Sequence, residues 1–238
     1  GSNTWNLVGS EVKLNQEEGF GTIKHARLHI KDVPVMYVPY MTFPIDDRRK
    51  SGFLMPQFGT SDDGFDIATP YYWNIAANYD ATLTPRLITD RGSMGEAEFR
   101  YQHTKNTGVL GGAYLVSDDL FMGQDRWLGV IDHRGNEFDN ISTRVTATAV
   151  SDDKYFNDLG TDLNASSQSH LLRLAEANYT NEHWSITSRV QGYQTIDPAI
   201  LAADKPYDRL PQLLAVGQYP LEDSGFEFGL TSEYSYFN

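Results

Sequence analysis

Apolar and polar side chains alternate with a period of two over long stretches of this chain, and that alternation commits it to β structure. In EAEFRYQ, Ala97, Phe99 and Tyr101 fall on one side and Glu96, Glu98, Arg100 and Gln102 on the other. In ISTRVTATAV, Ile141, Val145, Ala147 and Ala149 oppose Ser142, Arg144, Thr146 and Thr148. In FEFGLTSEYSYF, Phe226, Phe228, Leu230, Tyr234 and Tyr236 oppose Glu227, Thr231 and Glu233. Successive strand residues point to opposite faces, whereas a helix gathers every third or fourth residue on one side. The one stretch with helical propensity, LLRLAEANY at 171–179, is short and ends in β-favouring residues. The expected fold class is all-β.

Two architectures accept such a pattern: a soluble sandwich and a transmembrane barrel. The strands read as about ten residues long, nearer the barrel length than the shorter soluble mode. Arg and Glu occupy mid-strand positions on the polar side, as a water-filled lumen allows. Aromatics gather at strand ends (Tyr71, Tyr72, Trp73, Trp127, Trp184, Tyr234, Tyr236 and Phe237), in the manner of an interfacial girdle. Short turns near Ala77-Asn78, 106–108, 136–140, Asn181-Glu182 and 222–225 alternate with longer polar connections at 117–124, 151–169 and 197–211. This is the alternation of an outer-membrane barrel. A mean hydropathy of −0.46 does not oppose that reading, because alternating strands average out.

Composition narrows the function classes. Thirty-two acidic against 19 basic residues give a net charge of −13, and no basic patch marks a nucleic-acid surface. The absence of cysteine excludes disulfides and thiolate metal sites within this stretch. His25 and His29 sit four residues apart on one strand, roughly 13 Å by strand rise, too far to share a metal. His103, His133, His170 and His183 show no ligand spacing. The pairs Asp62-Asp63, Asp118-Asp119 and Asp152-Asp153 read as turn chemistry, with divalent-cation binding as the alternative. No G-x-S-x-G elbow and no phosphate-binding loop occur, so no catalytic residue, cofactor or metal is expected and the chain does not read as an enzyme.

The first 45 or so residues differ from the rest. Their strands read as shorter, with Ala26, Leu28 and Ile30 facing His25, Arg27, His29 and Lys31, and Pro34, Pro39 and Pro44 punctuate the exit. They suggest the end of a separate β domain, 1–47, followed by a second, 48–238, of about eleven strands. An odd count ending in mid-strand suggests a fragment, or a count out by one. At the start of the second domain, Pro56 and Pro70 each interrupt a strand. Proline gives the ladder no N–H and belongs at an edge or bulge. Residues alone allow edge protection against aggregation or a deliberately weak seam. Pro85, in ATLTPRL, is assigned to a bulge or strand boundary.

The runs PVMYVPYMTFPIDDRRKSGFLMP, PYYWNIAANYDATLTPRLITDRG and EAEFRY, followed more loosely by DDKYFNDLG, closely resemble the LPS-assembly outer-membrane family of Gram-negative bacteria, the LptD or organic-solvent-tolerance family. The match is tightest over residues 33–101. The resemblance implies the end of a periplasmic β-jellyroll followed by the first part of a large antiparallel transmembrane β-barrel, in the bacterial outer membrane. It implies lipopolysaccharide as cargo, an LptE-like lipoprotein plugging the barrel, an LptA-like periplasmic bridge protein of jellyroll fold, and surrounding membrane lipids. It makes Pro56 and Pro70 the lateral gate through which lipid leaves between first and last barrel strands. Leu28 and Ile30 then line an apolar lipid path, and Arg48, Arg49 and Lys50 meet lipid phosphates or sugars at the junction; a solvated linker balanced by Asp46 and Asp47 is the plainer alternative. The competing functions are a general porin or solute receptor, and a soluble carbohydrate-binding β-sandwich. Cell fractionation tests the last of these: recovery in the soluble fraction without detergent would favour the sandwich.

Overall fold

The computed structural model describes residues 5–30, 33–46, 49–61, 63–160, 169–221 and 225–238. Asp47, Arg48 and Asp62 lie outside the described residues, as do the side chains of Leu28, Ile30 and Val35. The described chain is all-β and antiparallel, in two sheets, with a single short α-helix and a 3-10 turn.

The smaller sheet holds β1 (Trp5–Val8), β2 (Glu11–Asn15), β3 (Phe20–Ile30) and β4 (Val33–Pro44). β1 and β2 pair in turn with one edge of β3, and β4 pairs with the other. Strict alternation fails at His25, whose φ of 51° lies in the left-handed region. Ile23 and Ala26, of opposite parity, consequently share one buried cluster with Met41. Phe53, from the next sheet, packs on the same cluster beside Leu7, Val38 and Phe43. A side chain at Gly52 would begin 3.2 Å from the Thr42 carbonyl oxygen. The two sheets meet there.

The larger sheet comprises β5 (Gly52–Phe53), β6 (Gln57–Ser61), β7 (Gly64–Ala68), β8 (Tyr71–Ala76), β9 (Tyr79–Ile88), β10 (Gly92–Gln102), β11 (Asn106–Asp118), β12 (Gln124–Phe138), β13 (Ile141–Val150), β14 (His170–Thr180), β15 (Trp184–Thr195), β16 (Arg209–Leu221) and β17 (Phe226–Phe237). β5 and β6 are two halves of one strand, as are β7 and β8, because both β7 and β8 pair with β9 in one register. The thirteen segments are therefore eleven strands, each joined to the next as an antiparallel neighbour. The sheet is open along β6 and β17 among the described residues. The 171–179 stretch is strand, since its neighbours β13 and β15 supply ladder partners on both sides.

The register keeps one face consistent from β9 to β17. Phe99 lies opposite Leu110, Leu110 opposite Ile131, Tyr114 opposite Trp127, Tyr179 opposite Ile186, and Leu213 opposite Tyr234. This face is apolar and uncovered among the described residues, with Leu110 44% and Leu230 46% exposed. Aromatics edge it at the short-turn end. Tyr101 lies across Gly108 and bonds His133 Nδ1 at 2.6 Å, and Trp184 lies across Gly217 and donates to the Tyr219 hydroxyl. Six residues further along β11 and β12, roughly 20 Å by strand rise, stand Tyr114 and Trp127.

The opposite face is polar, and its charges meet across strands. Arg100 donates to Asp80 at 2.6 Å, and Arg189 to Glu176 at 2.6 Å. Towards the long connections it turns apolar through Ile88, Met94, Ala113, Leu115, Leu128 and Val150. There α1 (Tyr155–Asp158) and Leu159 cover it, with Tyr155 fully buried.

A β-carbon on Gly108 would fall 2.4 Å from the Tyr101 hydroxyl oxygen. Gly108→Val should displace Tyr101, break its bond to His133 and cost about 1–3 kcal/mol. The expected readout is a lower temperature for loss of the compact band on unheated SDS gels; an unchanged temperature would mean that the ring-over-glycine contact contributes little.

Candidate functional site

The three prolines of the first strands fall side by side at one height of the sheet. Between Ala68 opposite Arg86 and Tyr71 opposite Leu83, Thr69 and Pro70 face Pro85 and Thr84 with no residue to spare. The Thr69 N–H donates to the Pro85 carbonyl at 3.0 Å. An antiparallel hydrogen-bonded pair normally exchanges two such bonds, but Pro85 has no N–H to return. One strand over, the Leu54 N–H donates to the Pro70 carbonyl at 2.8 Å, and Pro70 likewise returns nothing. Pro56 lies in the gap 54–56, where three residues face two (69–70) between the pairs Phe53–Tyr71 and Gln57–Ala68. That is a bulge. Pro56 and Pro70 thus occupy breaks in two successive strands. Pro85 departs from the expected bulge or boundary: it lies within β9, whose pairing with β10 continues through Pro85 opposite Gly95. It is tolerated there because its nitrogen faces the already interrupted β7–β8 strand.

The junction residues are bound to the sheet. Arg49 donates Nε to the Tyr72 hydroxyl at 2.9 Å and Nη1 to the Ala77 carbonyl at 2.8 Å, and pairs through Nη2 with Asp80. Asn74 donates its side-chain amide to the Arg49 carbonyl and its N–H to Ser51 Oγ, both at 2.9 Å. The Arg49 guanidinium is therefore held by the start of β9, where Arg100 also binds Asp80. Lys50 places its ammonium 4.7 Å from the Phe20 ring centroid, over the smaller sheet. With Thr42, Phe43, Ser51 and Asn74 these residues line a cleft of about 350 Å³. The backbones of Leu28 and Ile30 pair with Met36 and Val33 in the same small sheet.

A chain of ion pairs occupies the other end. Arg91 binds Asp63 Oδ2 and Asp118 Oδ2, both at 2.9 Å. Arg126 shares Asp118 at 3.0 Å, takes both oxygens of Asp152 at 2.9 and 2.7 Å, and reaches Asp158 at 2.9 Å. Arg126 and Asp118 are wholly buried. Beside them Arg86 binds Asp66 through Nε and Nη2, at 3.0 and 2.6 Å, and stands 3.5 Å from Glu96. Burial pushes the Asp152 carboxyl up, but the bonds from Arg126 and Ser151 outweigh it and hold the group below the ordinary carboxylate value. Burial pushes the Tyr155 phenol well above its ordinary value, so it stays protonated.

Each Asp-Asp pair of the sequence thus contributes a member, Asp63, Asp118 or Asp152, to one arginine chain. Turn chemistry is present as well, in the Asp118 bond to the Leu120 N–H at 3.0 Å and the Asp152 bond to the Lys154 N–H at 3.0 Å. Sequence reading missed the arginine partners Arg86, Arg91 and Arg126. The available signal was that each lies at the long-connection end, where the Asp pairs also lie. Among the described residues no cluster of His, Asp and Glu could hold a metal ion.

These features define a class: a long-stranded antiparallel wall, polar on one face and apolar on the other, with a weakened pairing at its first strands. The family described as LPS transport system D, LptD, matches residues 124–238. A protein of Chromohalobacter salexigens is 43% identical over all of this chain and 30% of its own length. Relatives from Pseudomonas entomophila (42%, covering 98% of this chain and 25% of their own) and Nitrosococcus oceani (44%, 92% and 30%) are similar. All three bear the name LPS-assembly protein LptD. The chain belongs to the LptD family, and it spans between a quarter and a third of the length of the curated relatives it matches.

Replacing Arg126 by Met should cost about 3–5 kcal/mol, because buried Asp118 loses one of its two guanidinium partners and Asp152 loses both bonds from the guanidinium, keeping only those from Ser151 and Lys154. Equilibrium unfolding of the purified protein checks this; a cost under 1 kcal/mol would mean that the chain of pairs is dispensable. The lowered Asp152 value also sets a direction with pH. Its contribution is complete above the unfolded value, about pH 4, and is lost as pH falls through the lowered folded value. Protease cutting within 151–160 should therefore increase on acidification below about pH 4 and not on alkalinisation to pH 8.

Proposed function

We propose that this chain takes part in placing lipopolysaccharide in the outer leaflet of the bacterial outer membrane. Its smaller sheet is the end of a periplasmic β-jellyroll, and its larger sheet is the first part of a transmembrane barrel. Lipid leaves through a lateral gate at the first barrel strands, between Pro56 and Pro70 and the strand that closes the barrel. The protein moves its cargo without chemistry of its own.

One observation carries the gate: at a single height, two neighbouring ladder pairs, Leu54–Pro70 and Thr69–Pro85, each hold one bond where two would form. Each missing bond removes roughly 0.5–1.5 kcal/mol, and the adjacent bulge removes regular geometry. A closed barrel otherwise has no edge at which to part. The uncovered apolar face with aromatics at both levels supports a bilayer setting, because an apolar surface of nine strands is costly in water and matches a hydrocarbon band between aromatic girdles. The family membership and the names of the relatives support lipopolysaccharide as cargo.

In this reading the acyl chains pass along the interior of the smaller sheet, by Leu28 and Ile30, and the head group passes the junction beside Arg48 and Lys50. Arg49 serves there through its hold on Asp80, which fixes the entry to the first strands. The partners are a plug lipoprotein resembling LptE, a periplasmic bridge protein of jellyroll fold resembling LptA, and membrane lipids.

Two linked measurements test it in the full-length protein in cells. Photoreactive residues at Leu28, Ile30, Phe53 or Phe58 should yield lipopolysaccharide adducts that depend on cellular ATP. Combined Pro56→Ala and Pro70→Ala replacement should slow the appearance of new lipopolysaccharide at the cell surface. Export at the unsubstituted rate, with no adducts in a folded, inserted protein, would discard the gate in favour of a porin.

A further inference from the structure

The proline-broken hairpin is anchored by polar and charged side chains at both of its ends, and its middle keeps the single backbone bonds donated by Leu54 and Thr69. At the outer end Asp66 accepts from Arg86 and Asp63 from Arg91, with the Thr89 N–H donating to the Phe65 carbonyl at 3.0 Å. The two arginines are held from behind. Arg86 stands 3.5 Å from Glu96 and 3.4 Å from the Gly160 carbonyl, and Arg91 is held 2.9 Å from Asp118. Their side chains are only 15% and 7% exposed. At the inner end Arg49 and Asn74 tie residues 49–51 to β8 and to the start of β9. Between these anchors lie Leu54–Pro56 and Thr69–Pro70.

We infer that Arg86 and Arg91 are positioning residues of the gate: through Asp66 and Asp63 they clamp β7 onto β9, so that the seam parts by bowing of the proline segment between two fixed ends. This rests on the gate reading above. The alternative motion, peeling of the hairpin from its tip, must break two largely buried, charge-assisted contacts together, and such bonds are about twice as strong as neutral ones. Bowing strains only a ladder already short of donors. The clamp also confines the opening to the width that the segment between Phe53 and Gln57 can give.

Hydrogen–deuterium exchange on the purified full-length protein tests the clamp directly. In the unsubstituted protein, amides of 64–68 should exchange slowly and those around Leu54–Phe58 quickly. Combined Asp63→Asn and Asp66→Asn replacement should speed exchange of 64–68 by about ten- to a hundredfold, with β10–β12 unchanged. In cells the same variant should admit a large antibiotic that the outer membrane normally excludes, and Asp66→Glu with Asp63→Glu should restore both readouts. Unchanged exchange at 64–68, or equal acceleration across the sheet, overturns the clamp. If the clamp variant behaves as expected but alanine at Pro56 and Pro70 leaves export untouched, the arginines hold a wall and not a gate, and the positioning role is overturned along with the gate.

Discussion

A β-sheet is held by a regular supply of backbone N–H groups, and this sheet omits them at one height of three successive strands. Everything else near the first hairpin is arranged around that omission. Pro70 and Pro85 each leave a ladder pair with one bond, and the residues opposite them still donate the other. The loss is therefore partial at each place, and the strands stay paired while the ladder between them weakens. Prolines spread over distant strands would have weakened the wall without concentrating the weakness anywhere.

Such a weak place is tolerable only where neighbouring contacts compensate. The compensation is electrostatic on the polar face and lies at the two ends of the hairpin. Arg49, Asp80 and Arg100 gather at the inner end; Arg86, Arg91, Arg126 and their carboxylates gather at the outer. In a half-buried setting these pairs are strong once formed and costly to break singly. The loop bearing α1 belongs to this arrangement. Tyr155 and Leu159 fill the apolar end of the polar face, and Asp152 and Asp158 bring the loop to Arg126.

The apolar face obeys a different physics. Its side chains pack against one another across strands, and among the described residues nothing covers them. Tyr101 and Trp184 lie across glycines on the adjoining strand, and their polar tips bond His133 and Tyr219. An amphipathic ring, apolar in body and wet at one tip, suits the boundary between hydrocarbon and water.

The sequence by itself determined the period-two faces, and with them the class, the strand lengths and the alternation of short and long connections. Those properties are local: each strand carries its own pattern, so Ala97, Phe99 and Tyr101 share a side whatever the neighbours are. The positions of Pro56 and Pro70 in the first two strands were legible for the same reason. What only the tertiary structure decided is what lies opposite what. Pro85 reads as a bulge or boundary residue because nothing in ATLTPRL says that its nitrogen faces Thr69. His25 breaks a face that looked regular, because a single left-handed φ is not written in residue type. The three Asp pairs looked like separate turns, yet Asp63, Asp118 and Asp152 meet Arg91 and Arg126 across as many as 28 positions of sequence. Long-range pairing of charges depends on register between strands and on the return of a loop, and neither is carried by any local stretch of the chain.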